Sequence, residues 1–343
     1  MKVQAYDNFW QNIHRSAKAK GIPLRVMLEL TYRCNFSCRH CYVPYSYRKT
    51  KELPLKKIFL ILDQLKDIGC FYLGFTGGEP FMRKDILQIL RYAKKCGFEI
   101  IIYSNGSLIN ERIAKELSQL RPNKVDITIP AINKDNFEAI SGLSGSRDKV
   151  FKAIELLEKN KVALGFKTCV LKENQNEIKE IKDFAQSLGA FHRLDDMLSR
   201  RLDGDAAPYR YRGVLSVVSK KENADCFVVT HRGGASRNDT VDINLFKCGV
   251  GVSQAAITPQ GELKPCLMID SPRFKILESS LGQAWQDLKS FISKIKVDTN
   301  YKCNRCNLEV YCKWCPGHAW LYNKSFTACV PQDQQKAEIL KGG

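Results

Sequence analysis

Six segments with the pattern of β-strands alternate with helical segments between residues 26 and 196, and this alternation leaves few folds open to the chain. The predicted strands are residues 26–31, 71–75, 98–103, 124–129, 162–171 and 191–196. The predicted helices between them are residues 54–68, 84–96, 110–120, 149–160 and 177–188. Strands joined through helices form a parallel sheet with the helices packed outside it. The sequence therefore predicts an α/β fold.

Unusual segments follow four of these strands. Three cysteines, Cys34, Cys38 and Cys41, come after the first strand, and Gly-Gly-Glu-Pro at residues 77–80 comes after the second. Ser-Asn-Gly at residues 104–106 follows the third strand, and Thr-Ile-Pro-Ala at residues 128–131 ends the fourth. Folds of this class bind ligands at the carboxyl ends of their strands. We expect the four segments to share one site.

The C-x3-C-x2-C spacing of the first segment indicates a metal site. A loop this short wraps three thiolates round a small inorganic core but does not easily supply a fourth, which leaves one metal open. Sets rich in thiolates suit zinc or an iron–sulfur cluster. On spacing alone, a structural zinc knot and cysteines used as small core residues remain alternatives.

Together, the loop and the segments after the strands resemble the radical S-adenosylmethionine (SAM) enzymes. In that family three cysteines hold a [4Fe–4S] cluster, SAM chelates the fourth iron, and reduction cleaves SAM to a 5′-deoxyadenosyl radical that abstracts hydrogen. The resemblance implies a partial (β/α)6 barrel. It places SAM against His40, Tyr42, Gly77, Gly78, Glu79, Pro80, Ser104, Asn105, Thr128 and Lys167.

The individual matches differ in kind. The family has an aromatic residue before the third cysteine, and His40 fills that position here. Its Gly-Gly-Glu-Pro segment holds the methionine end of SAM, and its Ser-Asn-Gly segment lies by the ribose. After the fourth strand, relatives commonly have Ser-x-Asp-Gly. This chain departs from that pattern, so Thr128 is the one ribose contact expected there.

A second array of seven cysteines lies beyond residue 247. It consists of Cys248, Cys266, Cys303, Cys306, Cys312, Cys315 and Cys329. Paired C-x2-C groups place two sulfurs on one metal unit, and by spacing alone they fit zinc or iron–sulfur. The array resembles the SPASM extension of radical SAM proteins, which binds two auxiliary [4Fe–4S] clusters, although x2 replaces the usual x3 between Cys312 and Cys315.

The SPASM resemblance implies how these ligands are shared. Cys303, Cys306, Cys312 and Cys329 would bind the outer cluster, and Cys248, Cys266 and Cys315 the inner one. Seven ligands are one short of eight. Either Cys226 supplies the missing thiolate or the inner cluster keeps an open iron.

The length of 343 residues accommodates more than one module. We expect a lead-in at residues 1–24, a radical SAM barrel at 25–197, a bridge at 198–246 and a small SPASM-like iron–sulfur domain at 247–343. With about 24 residues ahead of the first strand, we expect no fused leader-peptide-binding domain, so a separate leader-binding protein becomes a candidate partner.

The net charge of +18 raises nucleic acid as a partner, but an acidic peptide or protein fits the charge equally well. A zinc-containing nucleic-acid-binding protein is one alternative, although it leaves Gly-Gly-Glu-Pro unexplained. Fourteen cysteines without a signal peptide or an apolar run of about 18 residues favour a cytoplasmic protein outside the membrane.

The function implied by the resemblance is radical modification of a peptide or protein, by crosslink or thioether formation or by side-chain oxidation. A radical SAM enzyme for a small molecule or tetrapyrrole is the first alternative. An external electron donor is required. A proton acceptor near the auxiliary clusters would be a carboxylate, for which Asp195, Asp196 and Asp270 are candidates.

Overall fold

The computed structural model describes residues 12–213, apart from 14 and 18, and residues 245–342, apart from 247, 300 and 313. Its first six strands are β1 Arg25–Thr31, β2 Tyr72–Gly77, β3 Glu99–Ser104, β4 Lys124–Thr128, β5 Leu164–Cys169 and β6 Phe191–Asp195. The helices joining them are α1 Leu55–Asp67, α2 Ile86–Lys95, α3 Glu111–Leu120, α4 Lys134–Ser141, α5 Ser146–Lys159 and α6 Ile178–Ser187. The predicted α/β class and the parallel sheet are confirmed.

The first six strands pair in parallel in the order β6-β5-β4-β3-β2-β1. Alternate side chains of β1, those of Val26, Leu28 and Leu30, point to the helical layer and are buried. The helices pack against these side chains through apolar faces, which in α1 include the buried Ile58 and Leu62. One core therefore lies between sheet and helices, while the opposite side chains of each strand line the barrel interior.

The helix α4 was not predicted from the sequence. Asn133 caps it, since its side chain accepts from the backbone N–H groups of Asp135 and Asn136. Gly142, with φ of 66°, ends it in the left-handed region. This short helix contacts the cysteine loop, because the backbone N–H of Ser37 donates to the carbonyl of Ser141 at 2.8 Å.

The chain beyond residue 245 continues the same sheet. Strand β7 Gln254–Ile257 pairs in parallel with β1, followed by the antiparallel β8 Glu262–Lys264 and β9 Phe274–Lys275. Helix α7 Leu281–Lys294 covers these strands, and its Trp285 joins the main core. Two further helices are α8 Pro316–Asn323 and α9 Pro331–Gly342.

The first part of the predicted bridge packs on the cysteine loop. The backbone N–H of Leu202 donates to the carbonyl of Tyr42 at 2.9 Å, and the Arg201 guanidinium donates to the carbonyl of Arg39 at 3.2 Å. The remainder of the bridge, with Cys226, lies outside the described residues. Within the described parts of the chain, none of the helices has the length and apolar character needed to cross a bilayer.

Candidate active site

The cysteine loop lies directly after β1 and brings its three thiols together. Burial raises the pKa of Cys34 to about 11, and burial together with the neighbouring Cys41 and Cys34 raises that of Cys38 well above its ordinary value. The backbone N–H of Phe36 donates to Cys34 Sγ at 3.4 Å. Thiols that burial keeps protonated are expected to lose their protons when a metal binds, which couples metal binding to proton release.

Arg48 holds the loop in shape. Its guanidinium donates to the carbonyl oxygens of Cys34 at 3.3 Å and Phe36 at 2.7 Å. Its positive charge lowers the pKa of the three cysteine thiols against the larger, opposite effect of burial. The sequence did not single out Arg48, and its position fourteen residues after Cys34 carries no motif.

The two glycines after β2 allow the backbone to approach the start of the cysteine loop. The N–H of Gly78 donates to the carbonyl of Thr31 at 2.7 Å, and that of Glu79 to the carbonyl of Arg33 at 2.8 Å. A Cβ on Gly77 would lie 2.0 Å from the Thr31 oxygen, and one on Gly78 would lie 2.2 Å from the Arg33 oxygen. No other residue type fits either position without moving the backbone of residues 31–33.

Glu79 connects the loops that follow β2 and β3. Its carboxylate accepts from the backbone N–H of Phe81 at 3.1 Å, the Ser104 hydroxyl at 2.8 Å and the backbone N–H of Asn105 at 2.7 Å. Burial raises its pKa to about 7, and these three donors oppose the rise. Pro80 follows it at the start of a buried turn.

Asn105 reaches from the loop after β3 back to the cysteine loop. Its amide nitrogen donates to the Asn35 side chain at 2.9 Å and approaches Cys34 Sγ at 3.8 Å. Three of the four segments that the sequence assigned to one site are thus joined by hydrogen bonds. Asn35, which the sequence analysis did not select, is part of this connection.

The opposite wall of the barrel carries a group of polar residues at the ends of β4, β5 and β6. Lys167 pairs in register with Thr128 and forms an ion pair with Asp195 at 3.2 Å. Burial, with Lys167 and Arg201 nearby, lowers the pKa of His40 to about 4, so this imidazole is neutral at pH 7. His40 Nδ1 is buried without a hydrogen-bond partner among the described residues.

Cys169 also belongs to this wall, although it is part of no cysteine motif in the sequence. It lies beside Asp195 in the strand register and is only partly buried. Burial raises the pKa of its thiol to about 11. The charge of Lys167 opposes this rise, while Asp195 and Cys41 add to it. The alternation of β5, which turns Lys167 and Cys169 to the same face, could have indicated this position.

Tyr42 lies between the two cysteine arrays. Burial raises its pKa well above the usual value, and Glu29, Cys41 and Cys266 contribute in the same direction. Its hydroxyl lies 3.5 Å from Glu29 Oε1. Glu29 in turn forms a fully buried ion pair with Lys264 at 2.8 Å, two residues before Cys266.

The three candidate carboxylates are all engaged in ion pairs. Asp195 binds Lys167, and the buried Asp196 binds the buried Lys336 of α9. Asp270 accepts from Arg273 at 2.6 Å and from the Tyr47 hydroxyl at 3.0 Å, and it lies 3.4 Å from Lys264 Nζ. A role as proton acceptor would require one of these pairs to open, and their assignment stays a prediction.

The seven cysteines of the second array fall into two groups in space. Cys248, Cys266 and Cys315 form one. Burial raises the pKa of Cys266 to about 11, and Cys248 adds to the rise. Burial raises the pKa of Cys315 to about 12, and Cys266 and Cys248 add to it. A Cβ on Gly317 would lie 3.5 Å from Cys315 Sγ and 3.7 Å from Cys266 Sγ, so these two sulfurs flank a single backbone position.

The second group contains Cys303, Cys306, Cys312 and Cys329. Burial raises the pKa of Cys303 to about 12, and Cys312, Cys329 and Cys306 add to the rise. Within the described residues, no three potential ligands converge closely enough for a single metal ion. The thiolates of a four-iron cluster each bind a different iron, so they stand farther apart than the ligands of one ion.

Known proteins resemble this chain in sequence. Residues 28–185 match the family described as the Radical SAM superfamily. An AdoMet-dependent heme synthase of Methanosarcina barkeri is 23% identical over 332 residues, which cover 87% of this chain and 92% of that protein. The subtilosin biosynthesis protein AlbA of Bacillus subtilis is 24% identical over 277 residues, covering 78% of this chain and 58% of AlbA.

A solved structure extends the likeness to nearly the whole chain. Streptococcus suis SuiB, crystallised with the precursor peptide SuiA, matches with a TM-score of 0.69 and 17% identity, over 94% of this chain and 79% of SuiB. At that identity the match concerns the fold. The family match, the three cysteines after β1 and the parallel sheet agree, and residues 28–185 of this chain form a domain of the Radical SAM superfamily type.

Proposed function

We propose that this radical SAM enzyme modifies a peptide or protein substrate, by crosslink or thioether formation or by side-chain oxidation. The observation that carries the proposal is the likeness of fold to SuiB, which was crystallised with a precursor peptide and matches 94% of this chain. AlbA, a bacteriocin biosynthesis protein, is a second relative in the same direction. A cytoplasmic location is part of this proposal, and it is supported by the fourteen cysteines, which suit a reducing compartment.

The residues around the loops after β1, β2 and β3 are proposed to bind SAM. When bound, the reduced [4Fe–4S] cluster supplies the electron that cleaves SAM to the radical that abstracts hydrogen from the substrate. Cys34, Cys38 and Cys41 would hold the cluster, and Glu79 would accept from the SAM ammonium group. The neutral His40 would lie against the nucleoside, where a charged ring would repel the sulfonium.

The two groups of the second array are proposed to hold auxiliary [4Fe–4S] clusters. Cys303, Cys306, Cys312 and Cys329 supply four thiolates, enough for one cluster. Cys248, Cys266 and Cys315 supply three, so Cys226 or an open iron would complete the other. Mössbauer spectra of the Cys226→Ala variant test the choice. If the signals of the inner cluster's iron sites are the same as in the parent protein, the open iron is favoured.

Anaerobic reconstitution tests the cofactors. We expect about twelve irons per chain, four for each cluster, and deoxyadenosine release when the protein is reduced with SAM. The triple variant Cys303→Ala/Cys306→Ala/Cys312→Ala should lose about four irons and keep SAM cleavage. Zinc without iron would instead support the nucleic-acid-binding alternative.

Substrate trials test the peptide. The reduced enzyme with SAM and a peptide encoded next to its gene should change the peptide mass by loss of hydrogen. SAM cleavage without any change in peptide mass would contradict the peptide proposal while leaving the radical SAM chemistry intact.

A tetrapyrrole substrate is the second candidate, because the Methanosarcina barkeri heme synthase matches along most of both chains. Supplying an iron porphyrin in place of the peptide tests it. A change in the porphyrin absorption spectrum that depends on SAM would favour this candidate.

A further inference from the structure

A strongly basic surface covers the outside of the cysteine loop. Residues 33–51 contain five arginines and lysines and neither aspartate nor glutamate. Arg33, Arg39, Lys49 and Lys51 of this stretch are exposed. We call residues 33–51 the loop surface.

Tyr45 is an exposed aromatic residue at the centre of the loop surface. Its side chain is 44% exposed, which is unusual for a large apolar ring in this structure. Its hydroxyl nevertheless donates to the carbonyl of Ser37 at 3.0 Å and lies 3.4 Å from that of Cys38, a proposed cluster ligand. Tyr45 therefore connects the solvent to the backbone that surrounds the cluster site.

Two guanidinium groups flank the Tyr45 ring. The guanidinium carbon of Arg48 lies 4.6 Å from the ring centroid and that of Arg201 lies 4.9 Å from it. Such contacts hold the ring in place and leave its edge exposed. Arg48 bonds to backbone carbonyls of the cysteine loop, so its positive charge is not neutralised there.

Acidic groups from neighbouring segments neutralise only part of the loop surface. Glu52 binds Arg33 at 2.8 Å, and Asp205 binds Arg201 at 3.0 Å. Glu173 lies 3.9 Å from Arg39. Within the described residues, no ion pair neutralises the exposed charges of Lys49 and Lys51, and the surface keeps an excess of positive charge.

We propose that the loop surface is the docking site of a small acidic one-electron donor protein, with Tyr45 at the contact nearest to the cluster. The donor loses one electron, the cluster at Cys34, Cys38 and Cys41 gains it, and that electron cleaves SAM. Complementary charge steers such partners and raises their association rate, and a central aromatic ring is a frequent anchor of interfaces. The inference rests on the proposed reductive cleavage of SAM and is independent of the substrate.

The test compares a protein reductant with a small chemical one. Lys49→Glu/Lys51→Glu reverses two exposed charges of the loop surface, and Lys149→Glu/Lys159→Glu makes the same change in net charge on α5. For each reconstituted enzyme, deoxyadenosine release is measured with reduced flavodoxin and with dithionite. Binding of oxidised flavodoxin, which needs no turnover, is measured by biolayer interferometry.

For the loop-surface variant we expect flavodoxin binding and flavodoxin-driven release to fall about tenfold at low salt. Release with dithionite should not change, and the deficit should disappear at about 0.5 M salt because screening removes the steering term. Tyr45→Ser should weaken flavodoxin binding at both salt concentrations, because it removes an apolar anchor.

Equal losses in both double variants would show that net charge alone matters and would overturn the proposal. Unchanged flavodoxin binding in both the loop-surface variant and Tyr45→Ser would overturn it as well. Should dithionite itself release no deoxyadenosine, the proposed function would fall, while the binding measurement would still decide the docking site.

Discussion

At the scale of single residues, burial and hydrogen bonding have opposite effects on the protonation of Glu79. It is fully buried, which favours the neutral form, yet three donors converge on it, which favours the carboxylate. A cationic ligand beside it would favour the carboxylate further. The residue is therefore a point where pH, loop structure and cofactor binding are linked.

The pH dependence of stability should report on Glu79. Its pKa is raised from an ordinary 4.5 to about 7 in the folded protein. Between these values the folded state holds more protons than the unfolded state, so this group lowers the free energy of unfolding as pH rises from about 4.5 to 7. We expect Glu79→Gln to lack this contribution, measured as the difference in urea unfolding of cluster-free protein at pH 5 and pH 8.

The exposed Glu158→Gln on α5 is the matched control and should keep the pH dependence of the parent protein. If Glu79→Gln also keeps it, Glu79 ionises normally in the folded state and its burial has been offset by the three donors.

Gly78 allows a second prediction. Gly78→Ala places a methyl group 2.2 Å from the Arg33 carbonyl, so the start of the cysteine loop has to move. We expect a loss of about 2 kcal/mol or more in stability and reduced iron at the first cluster, because the loop geometry is part of the ligand set. Unfolding by urea and iron content of the reconstituted protein measure the two effects.

Gly282→Ala is the control for Gly78→Ala. Gly282 is in the first turn of α7, and the nearest atom to an added Cβ lies 3.8 Å away. Alanine is the better helix former there, so we expect unchanged or slightly raised stability and unchanged iron content. Parallel losses in the two variants would contradict the steric argument.

What the sequence predicts at this scale depends on whether a residue acts through its local pattern. The spacing of Cys34, Cys38 and Cys41 and the position of Gly77 and Gly78 after a strand are local, and the sequence analysis found them. Arg48 and Asn35 act through contacts made by the folded chain. No pattern in the sequence marks such contacts.

At the scale of elements, period and caps predict the strands and the long helices of the barrel. The short α4 was not predicted, because two glycines, Gly142 and Gly145, divide the connection between β4 and β5 into two helices. Strands β7, β8 and β9 were not predicted either. They are four, three and two residues long, too short for an alternation of apolar and polar residues to be recognised. Only their pairing with β1 and with each other makes them strands.

Helix α7 should stabilise the barrel as well as the strands beside it. Trp285 is 1% exposed, packs in the main core and donates through Nε1 to the carbonyl of Gly21 at 2.6 Å. We expect Trp285→Ala to lower the free energy of unfolding by about 3–5 kcal/mol, measured with urea and far-UV circular dichroism.

The neighbouring Gln286 is exposed, and Gln286→Ala should stay within about 0.5 kcal/mol of the parent protein. If Trp285→Ala instead produces two separate unfolding transitions with the first confined to a minority of the signal, α7 and the barrel do not share one cooperative core.

At the scale of the whole molecule, the Glu29–Lys264 ion pair joins the barrel to the strands beyond residue 245. Both side chains are fully buried. Lys264→Met leaves a buried carboxylate without its cation, and we expect a loss of about 3–5 kcal/mol. The double variant Glu29→Gln/Lys264→Met removes the uncompensated charge and should be more stable than Lys264→Met alone.

Urea unfolding of the parent, both single variants and the double variant provides a double-mutant cycle. Additive effects of the two substitutions would mean that the pair does not couple these parts of the protein. The double variant should also restore the electronic spectrum of the reconstituted clusters if Lys264→Met disturbs it.

Because β7 pairs with β1 and β8 pairs with β7, the loop after β1, which contains Tyr42, and the segment after β8, which contains Cys266, extend from one continuous sheet. Strand register can change only by whole residues, so the sheet holds the two cysteine-containing regions at a set distance from each other. A substrate that must meet both regions would be selected by its reach, since its reacting carbon and its second point of attachment would have to match that constant interval.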